Sequence, residues 1–470
     1  MNVPTLHVDI AVIGAGTAGM HAFSTARRAG ARTVLIDPGP LGTTCARVGC
    51  MPSKAVLHAG QRWHTLQSLL PAGTTAAQLP PGHTTPQQLW QEALAIRDTL
   101  VAGNVQQLHR LAGDDLLQAR AAFVAPDTLA LSDGRRIQAR ACIVATGSEP
   151  VVPSDLQARL GAALLTTDTL FALPELPRSV AVMGLGPLGL EMALALRRLG
   201  VDVAAAGRSP VLASMADPEV AQAAAAYFAQ QLPMALGQQN IDVQPAEGGG
   251  VLLRAGPLQH QAQYLLAAIG RRPRLQGLGL EAAGVQLDAQ GRPQMQPQTL
   301  RCAGSTVYLA GDAAPGPALM HEAGQEGTLA AQQALQALGD ARWQGLQLRA
   351  RTTPLSIVFS DPDLASVGLR FDQLPADAVI GTVHGSGSGR SKILQAPHHV
   401  LRLYAARDSG RLLGASVLCA GGEHLAHALA WAVQRGETVE DMLALPYYHP
   451  TLEEMIDTAL RDMRRSLRSA

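Results

Sequence analysis

The stretch VDIAVIGAGTAGMHAFSTARRAGARTVLID, residues 8–37, decides the fold of the first part of the chain. Its apolar start predicts a buried parallel strand, and the glycine spacing that follows predicts a tight turn into a helix ending near Ala29. A second apolar strand ends at Asp37. Together these features predict a complete dinucleotide-binding unit, in which helix amides bind a pyrophosphate and Asp37 binds ribose hydroxyls. The glycines of this turn are Gly14, Gly16 and Gly19.

A second stretch, SVAVMGLGPLGLEMALALRRLGVDVAAAGR at residues 179–208, has the same pattern. It predicts a strand at 180–183, a helix to Leu199 and a further strand. Two such units in one chain predict two bound dinucleotides. The glycines of the second turn are Gly184, Gly186 and Gly189.

The two units differ where their second strands end. Asp37 lies 23 residues after Gly14, whereas the same offset from Gly184 gives Gly207, which is followed by Arg208. A carboxylate at this place binds a ribose 2′-hydroxyl and repels a 2′-phosphate, whereas a guanidinium can bind that phosphate. Arg208 is therefore a candidate for contact with NADP(H), and the alternative is that it is a solvated loop residue.

The run GTTCARVGCMPSK, residues 42–54, places Cys45 and Cys50 five positions apart. A disulfide between them would close a very short loop and would stabilise the fold only modestly. A reversible dithiol beside a redox cofactor explains the spacing better. The alternatives are two unrelated buried cysteines or half of a zinc site. Zinc fits poorly because the chain has no second cysteine pair, so no metal site is predicted.

Length and composition limit the classes of protein that the chain can be. A chain of 470 residues predicts about three domains, and 47% hydrophobic with 16% charged residues predicts a soluble globular protein. The formal net charge of zero does not favour a nucleic-acid partner, and no apolar stretch is long enough to predict a membrane span. Five scattered cysteines favour a reducing cytoplasm over a secreted disulfide framework.

The cysteine segment closely resembles the redox-active segment of the class I pyridine nucleotide–disulfide oxidoreductases, and most of all that of the dihydrolipoamide (dihydrolipoyl) dehydrogenases. Three later segments also match the family: ATG at 145–147, AIGRRP at 268–273 and TVYLAGD at 306–312. The resemblance implies FAD in the first unit and NAD(P) in the second. It also implies that these segments bind cofactor through Thr146, Gly147, Gly270, Gly311 and Asp312, with Asp312 at the ribityl chain.

The implied fold class is α/β, with two Rossmann-like dinucleotide-binding domains and an α+β C-terminal dimerisation domain. The resemblance implies an FAD-binding domain split between residues 1–150 and 271–348. The NAD(P)-binding domain, 151–270, is inserted into it, and residues 349–470 form the dimerisation domain. A homodimer with shared active sites is expected, because the family is built in this way.

The resemblance also implies roles for the residues around the cysteines. Cys45 exchanges with the substrate, and Cys50 faces the flavin and forms a thiolate–flavin charge-transfer pair. A helix beginning at Cys50 would favour that thiolate. Lys54, one of two lysines in the chain, lies near the flavin ring and pairs with Glu191 in the second glycine segment.

The segment YYHPTLEE, residues 447–454, supplies the remaining candidates. Pro450 predicts a helix start, and a histidine there with a carboxylate one turn further on can be an oriented base. The resemblance implies that this segment of one subunit completes the active site of the other, with His449 as acid/base and Glu454 orienting it. The adjacent Glu453 is the alternative orienting group.

Three functions follow from these motifs. The first is a dihydrolipoamide dehydrogenase-like enzyme, whose substrate is a small dithiol or a lipoyl-bearing protein. The second is an NADPH-dependent reductase of another disulfide, which Arg208 favours. The third is a non-catalytic flavoprotein assembly subunit, against which the joint presence of both cysteines, Lys54, Glu191 and His449 argues. A mercuric reductase is less expected because RRSLRSA, residues 464–470, contains no cysteine pair.

Overall fold

The computed structural model describes residues 5–71, 83–316, 318–343, 345 and 351–468. The last two residues of the segment 464–470 and the predicted domain boundary at 348/349 lie outside these ranges. The chain divides into two compact units. The first is formed by Met1–Pro52, Leu94–Val151 and Arg271–Arg351, and the second by Ser53–Ala93, Val152–Gly270 and Thr352–Ala470. The division into three functional domains stays a prediction.

The α-helices and strands follow one another as alternating β and α elements in both nucleotide-type regions. Up to residue 151 they are β1 (Thr5–Ile13), α1 (Thr17–Arg28), β2 (Thr33–Ile36), α2 (Thr44–Val48), α3 (Cys50–Ser68), α4 (Pro86–Ala112), β3 (Leu116–Leu117), β4 (Ala121–Ala125), β5 (Thr128–Leu131), β6 (Arg136–Val144) and β7 (Ser148–Pro150). From there to residue 270 they are α5 (Ser154–Leu160), β8 (Leu164–Thr166), α6 (Thr167–Leu170), β9 (Ser179–Met183), α7 (Pro187–Arg198), β10 (Asp202–Ala206), α8 (Pro218–Phe228), β11 (Met234–Ala235), β12 (Ile241–Pro245), β13 (Val251–Ala255), β14 (Leu258–Ala262) and β15 (Tyr264–Ala267). The remaining elements are β16 (Arg271–Pro273), β17 (Val307–Leu309), α9 (Met320–Ala337), β18 (Leu355–Val358), β19 (Asp363–Gly368), β20 (Val379–His384), α10 (Gly389–Ile393), β21 (Val400–Ala405), β22 (Leu412–Cys419), α11 (Gly422–Arg435), α12 (Val439–Leu443) and α13 (Glu454–Arg468).

The first unit is built on a seven-stranded sheet. Strands β3, β2, β1 and β6 are parallel neighbours, β17 also pairs in parallel with β6, and β5 and β4 extend the sheet in antiparallel. Helices α1 and α9 pack closely, because a side chain at Gly327 would clash with the carbonyl oxygen of Ala18. The predicted strand and helix of residues 8–37 are therefore present, and they lie at the centre of this sheet.

The second unit contains a parallel sheet of five strands, in the order β11-β10-β9-β15-β8. Its central strand β9 leads through the second glycine turn into α7, as the sequence predicts. Strands β12, β13 and β14 form a small antiparallel meander. The C-terminal part is an antiparallel sheet of β18, β19, β22, β21 and β20, whose apolar core includes buried side chains of α11 and α13. The predicted α/β fold class, with Rossmann-like domains and a C-terminal α+β domain, is confirmed.

One local prediction is wrong. Pro450 was expected in the first turn of a helix, but α13 begins at Glu454 and the preceding residues form a loop. The reason is that the Glu454 carboxylate accepts a hydrogen bond from the Thr451 backbone N–H at 2.9 Å, so residues 451–453 form a turn that precedes the helix. His449 is consequently a loop residue.

Among the described residues, no helix has both the length and the apolar character that a membrane crossing requires.

Candidate active site

The first glycine turn brings backbone groups into very close contact. A side chain at Gly14 would clash with the carbonyl oxygen of Ala145, and one at Gly19 would clash with the carbonyl oxygen of Gly14. At Gly16, by contrast, an added Cβ would meet no atom within 4 Å. The space in front of Gly16 is therefore open to a ligand, and the other two glycines close the strand–helix packing behind it.

The second turn has the same arrangement. A side chain at Gly184 would clash with the carbonyl oxygen of Ala268, one at Gly189 would clash with that of Gly184, and Gly186 faces open space. Among the described residues, no side chain caps the first turn of α1 or α7, whose N-caps are Gly16 and Gly186. Both helix starts thus present backbone N–H groups and the positive end of the dipole, which suits a pyrophosphate. The two turns fit two dinucleotides.

Asp37 closes the first turn from the side. Its two carboxylate oxygens accept hydrogen bonds from the backbone N–H groups of Ala15 and Gly39, each at 2.7 Å. The carboxylate is thereby fixed beside the start of α1. Because each carboxylate oxygen has more than one acceptor site, both can still bind ribose hydroxyls.

The corresponding place in the second unit has no acid. Gly207 is buried, and its N–H donates to the carbonyl oxygen of Ala235 at 2.9 Å. Arg208 is exposed and lines a cleft of about 300 Å³ that includes Arg159, Gln239 and Gly184. A guanidinium therefore stands at the mouth of a cleft beside the second glycine turn.

A hydrogen-bonded chain joins the predicted flavin residues at the end of the first sheet. The Ser148 hydroxyl donates to Asp312 at 2.7 Å, and the Arg271 Nε atom donates to that hydroxyl at 2.8 Å. Thr146 donates to the carbonyl oxygen of Arg274 at 2.7 Å, next to Gly147, which has φ +71°. Sequence analysis did not identify Ser148 and Arg271, although both lie inside or beside the quoted motifs.

Gly311 and Gly270 occupy backbone conformations that favour glycine, with φ +65° and +113°. The Gly311 N–H donates to the carboxylate of Glu326 at 2.9 Å, and burial raises the pKa of Glu326. Arg351 contacts the same carboxylate at 3.2 Å. Glu326 lies in the middle of α9, and no sequence signal distinguished it from an ordinary helix-surface residue.

Cys45 and Cys50 come together at the junction of α2 and α3. Both are free thiols, Cys45 half-buried in α2 and Cys50 exposed as the first residue of α3. Gly49 permits the close approach, because a Cβ at that position would lie 3.2 Å from the Cα atom of Cys45. A hydrogen bond with Cys50 and, after it, burial raise the pKa of the Cys45 thiol. The positive end of the α3 dipole favours negative charge on Cys50, so the pair carries its thiolate there.

Lys54 and Glu191 form a buried ion pair in the second unit. The Lys54 Nζ atom lies 2.9 and 2.8 Å from the two carboxylate oxygens of Glu191, whose side chain is 3% exposed. The backbone N–H of Phe359 donates to the same carboxylate at 3.0 Å, and the ammonium lies 4.6 Å from the centre of the Phe359 ring. Phe359 thus contacts both members of the pair, and sequence analysis did not identify it.

His449 and Glu454 are paired in the loop before α13. The His449 Nδ1 atom lies 2.9 Å from Glu454 Oε1, and this hydrogen bond lowers the pKa of Glu454. Adjacent Glu453 is exposed. The imidazole is 77% exposed, and in the described part of the chain its Nε2 atom has no hydrogen-bond partner. The carboxylate therefore orients the ring while leaving Nε2 to a substrate.

A pair of neighbouring thiols is a two-electron carrier, and two glycine turns provide sites for two more carriers. Fold and site together define a dinucleotide-dependent oxidoreductase that acts through thiols. The chain belongs to the family described as "Pyridine nucleotide-disulphide oxidoreductase", which matches residues 8–327, and residues 355–460 match the dimerisation domain of that family. The family uses FAD and NAD(P)H, and its dimerisation domain supports a homodimer.

Similar proteins cover nearly the whole chain. Dihydrolipoyl dehydrogenase 3 of Pseudomonas aeruginosa is 30% identical, covering 97% of both chains. A mercuric reductase of Streptomyces lividans is also 30% identical, covering 96% of this chain and 95% of its own. Among solved structures, LpdA of Mycobacterium tuberculosis has a TM-score of 0.80 at 24% identity, covering 97% of this chain and 99% of its own. Relatives of equal similarity thus carry different names, and the family is shown while its substrate is not.

Proposed function

We propose that the protein is a dihydrolipoamide dehydrogenase-like enzyme that transfers electrons between a substrate dithiol and NAD(P) through Cys45 and Cys50. The observation that carries the proposal is the hydrogen-bonded thiol pair at the start of α3. The family, the dihydrolipoyl dehydrogenase relatives and the oriented His449 support it. A reducing compartment such as the cytoplasm suits an enzyme whose working groups are thiols.

The thiol chemistry balances in two exchanges. A substrate thiolate attacks the Cys45 sulfur of the Cys45–Cys50 disulfide, the bond between the cysteines breaks, and Cys50 leaves as a thiolate. The second substrate thiol then attacks the mixed disulfide, releasing Cys45 and the oxidised substrate. His449 accepts the substrate proton at Nε2, and Glu454 stabilises the resulting imidazolium. Bound FAD passes the two electrons from the dithiol to NAD(P)⁺, giving NAD(P)H and a proton.

The Lys54–Glu191 pair supplies a fixed positive charge beside the flavin in this proposal. A desolvated ammonium favours electron density on the nearby ring, and the buried carboxylate holds that ammonium in one position. A lysine that stands in a chain rich in arginine suits this role, because it is a compact point charge.

A second candidate is an NADPH-dependent reductase of another disulfide, which runs the same exchanges in reverse. The missing acid at Gly207 and the guanidinium of Arg208 beside the cleft favour it. The mercuric reductase relative makes Hg(II) a further substrate to test.

The test is a substrate matrix on the purified holoenzyme. NADH and NADPH are each combined with lipoamide, glutathione disulfide, a panel of other disulfides and Hg(II), and dihydrolipoamide oxidation is measured with NAD⁺ and NADP⁺. We expect lipoamide to give the highest kcat/KM and Cys45→Ser to abolish it. Faster turnover of another disulfide with NADPH would establish the second candidate, and turnover of Hg(II) alone would contradict both.

A further inference from the structure

Helix α7 carries two buried charged residues that bind the same loop. Glu191 and Arg198 are seven residues apart and therefore lie on one face, about 10 Å apart along the axis. Glu191 accepts from the Phe359 N–H at 3.0 Å. Arg198 donates from Nη2 to the carbonyl oxygens of Ser360 and Asp361, at 3.1 and 2.7 Å. The turn between β18 and β19 is thus held at both ends by α7.

The Arg198 side chain has no other evident use in the described part of the chain. It is 6% exposed, and its ion pair with Asp361 is long, at 3.7 Å. Its Nε atom is buried without a hydrogen-bond partner among the described residues. Burying a guanidinium is unfavourable, and a packed apolar residue would fill the same space at less cost in free energy. What Arg198 provides is the fixed position of two backbone carbonyls.

The loop that Arg198 holds ends at Phe359, which touches the Lys54–Glu191 pair in two ways. Its backbone N–H fixes the Glu191 carboxylate, and its ring lies beneath the Lys54 ammonium at 4.6 Å. The helices that carry the pair are also closely packed, because a Cβ at Gly60 of α3 would lie 2.8 Å from the Ala195 carbonyl oxygen of α7. Lys54 is therefore held by a carboxylate and by an aromatic face.

We infer that Phe359 and Arg198 are positioning residues for Lys54: Phe359 holds the ammonium directly, and Arg198 acts through the loop that carries Phe359. This inference deepens the proposed function, since it matters for catalysis only if Lys54 acts on the flavin. The arrangement itself does not depend on that role, and the two can be tested separately.

The two lysines of the chain make the test direct. An amine-reactive ester labels Lys54 and the exposed Lys392 of the holoenzyme at one pH, and mass spectrometry gives the ratio of the two rates. In Phe359→Leu we expect the Lys54/Lys392 ratio to rise by about 2- to 30-fold, because loss of the cation–π contact increases the neutral, reactive amine. Arg198→Met should raise it in the same direction, and Arg198→Lys should restore it in part.

Matched controls are available in the same unit. Phe371 lies 5.4 Å from the Arg402 guanidinium, and Arg197 is the exposed neighbour of Arg198 on α7. Phe371→Leu and Arg197→Met should leave the ratio unchanged, and Glu191→Gln should raise it as a positive control. If Arg198→Met does not fold, Phe359→Leu decides alone.

The second readout is the rate at which NAD(P)H reduces the bound flavin. A raised labelling ratio together with slower flavin reduction supports both the inference and the role of Lys54. A raised ratio with unchanged reduction keeps the inference but contradicts that role. An unchanged ratio in Phe359→Leu and Arg198→Met overturns the inference.

Discussion

At the scale of single residues, the two cysteines are chemically unequal. Cys50 begins a helix of 19 residues, whereas the pKa of the Cys45 thiol is raised by its hydrogen bond to Cys50 and by burial. In the reduced protein, Cys45 therefore keeps its proton while Cys50 carries the negative charge. This difference predicts which cysteine contacts the flavin electronically.

We predict that the two-electron-reduced enzyme has a long-wavelength absorbance band that disappears in Cys50→Ser, because the Cys50 thiolate is its electron donor. Cys45→Ser should keep a flavin–thiolate band and lose disulfide turnover. Spectra of both variants, recorded anaerobically at matched flavin content, check the assignment. The opposite pattern would exchange the roles of the two cysteines.

A second residue-scale prediction concerns the choice of nucleotide. An acid at position 207 is sterically acceptable, since a Cβ there would lie 3.4 Å from Leu185. In Gly207→Glu/Arg208→Phe the kcat/KM ratio for NADPH over NADH should fall by at least about tenfold, because the acid repels the 2′-phosphate and a charge-assisted contact is lost. The wild-type enzyme should use both nucleotides.

Arg208→Met is the matched variant that removes the guanidinium without adding an acid, and it should lower the ratio by a smaller factor. Steady-state kinetics with both nucleotides give the comparison. A ratio that stays within a few-fold of wild type in the double variant would show that this strand end does not select the nucleotide.

At the scale of elements, the sequence predicted what depends on local spacing. The two β–α–β units follow from glycines within six residues of each other, and the Glu454 partner of His449 follows from a five-residue spacing. The helix start at Glu454 was missed because its carboxylate binds the Thr451 N–H, a local choice that Pro450 does not reveal. Phe359 and Arg198 were missed because their contacts join residues more than 160 positions apart.

The start of α11 gives an element-scale prediction. Asp363 accepts from the Glu423 N–H at 3.2 Å, and burial raises the pKa of Asp363 to about 6. Because the folded state then holds the proton more tightly than the unfolded state, stability falls as pH rises from about 4 to 7. This group should remove on the order of 2 kcal/mol of unfolding free energy between about pH 4.5 and pH 7.5.

Asp363→Asn lacks this titration, so its unfolding free energy relative to wild type should increase by that amount over the same interval. Urea unfolding at the two pH values, with the neighbouring Glu423 unchanged in both proteins, isolates the group. Parallel pH dependences of variant and wild type would mean that Asp363 is not held protonated by the fold.

At the scale of the whole molecule, the family's dimerisation domain carries its reactive loop on the surface. His449 and Tyr448 are both highly exposed, and Trp431 of α11 is 66% exposed. Aromatic side chains in such positions are enriched where a protein surface becomes an interface. A homodimer in which this loop reaches the cysteines of the other subunit accounts for an exposed acid/base with an oriented ring.

This arrangement predicts complementation between two inactive variants. Each alone should lose activity, His449→Ala by about a hundredfold or more because an acid/base is removed. Cys45→Ser and His449→Ala subunits are co-expressed with different affinity tags, and heterodimers are purified through both tags. If sites are shared, one site combines the intact Cys45 with the intact His449, and the heterodimer should have about half the wild-type turnover. The matched control pairs a Cys45→Ser/His449→Ala subunit with a wild-type subunit. There, shared sites each lose one essential residue and activity should be lost, whereas sites confined to one subunit would leave about half. An active control together with an inactive heterodimer would therefore place His449 and Cys45 of one site in the same subunit.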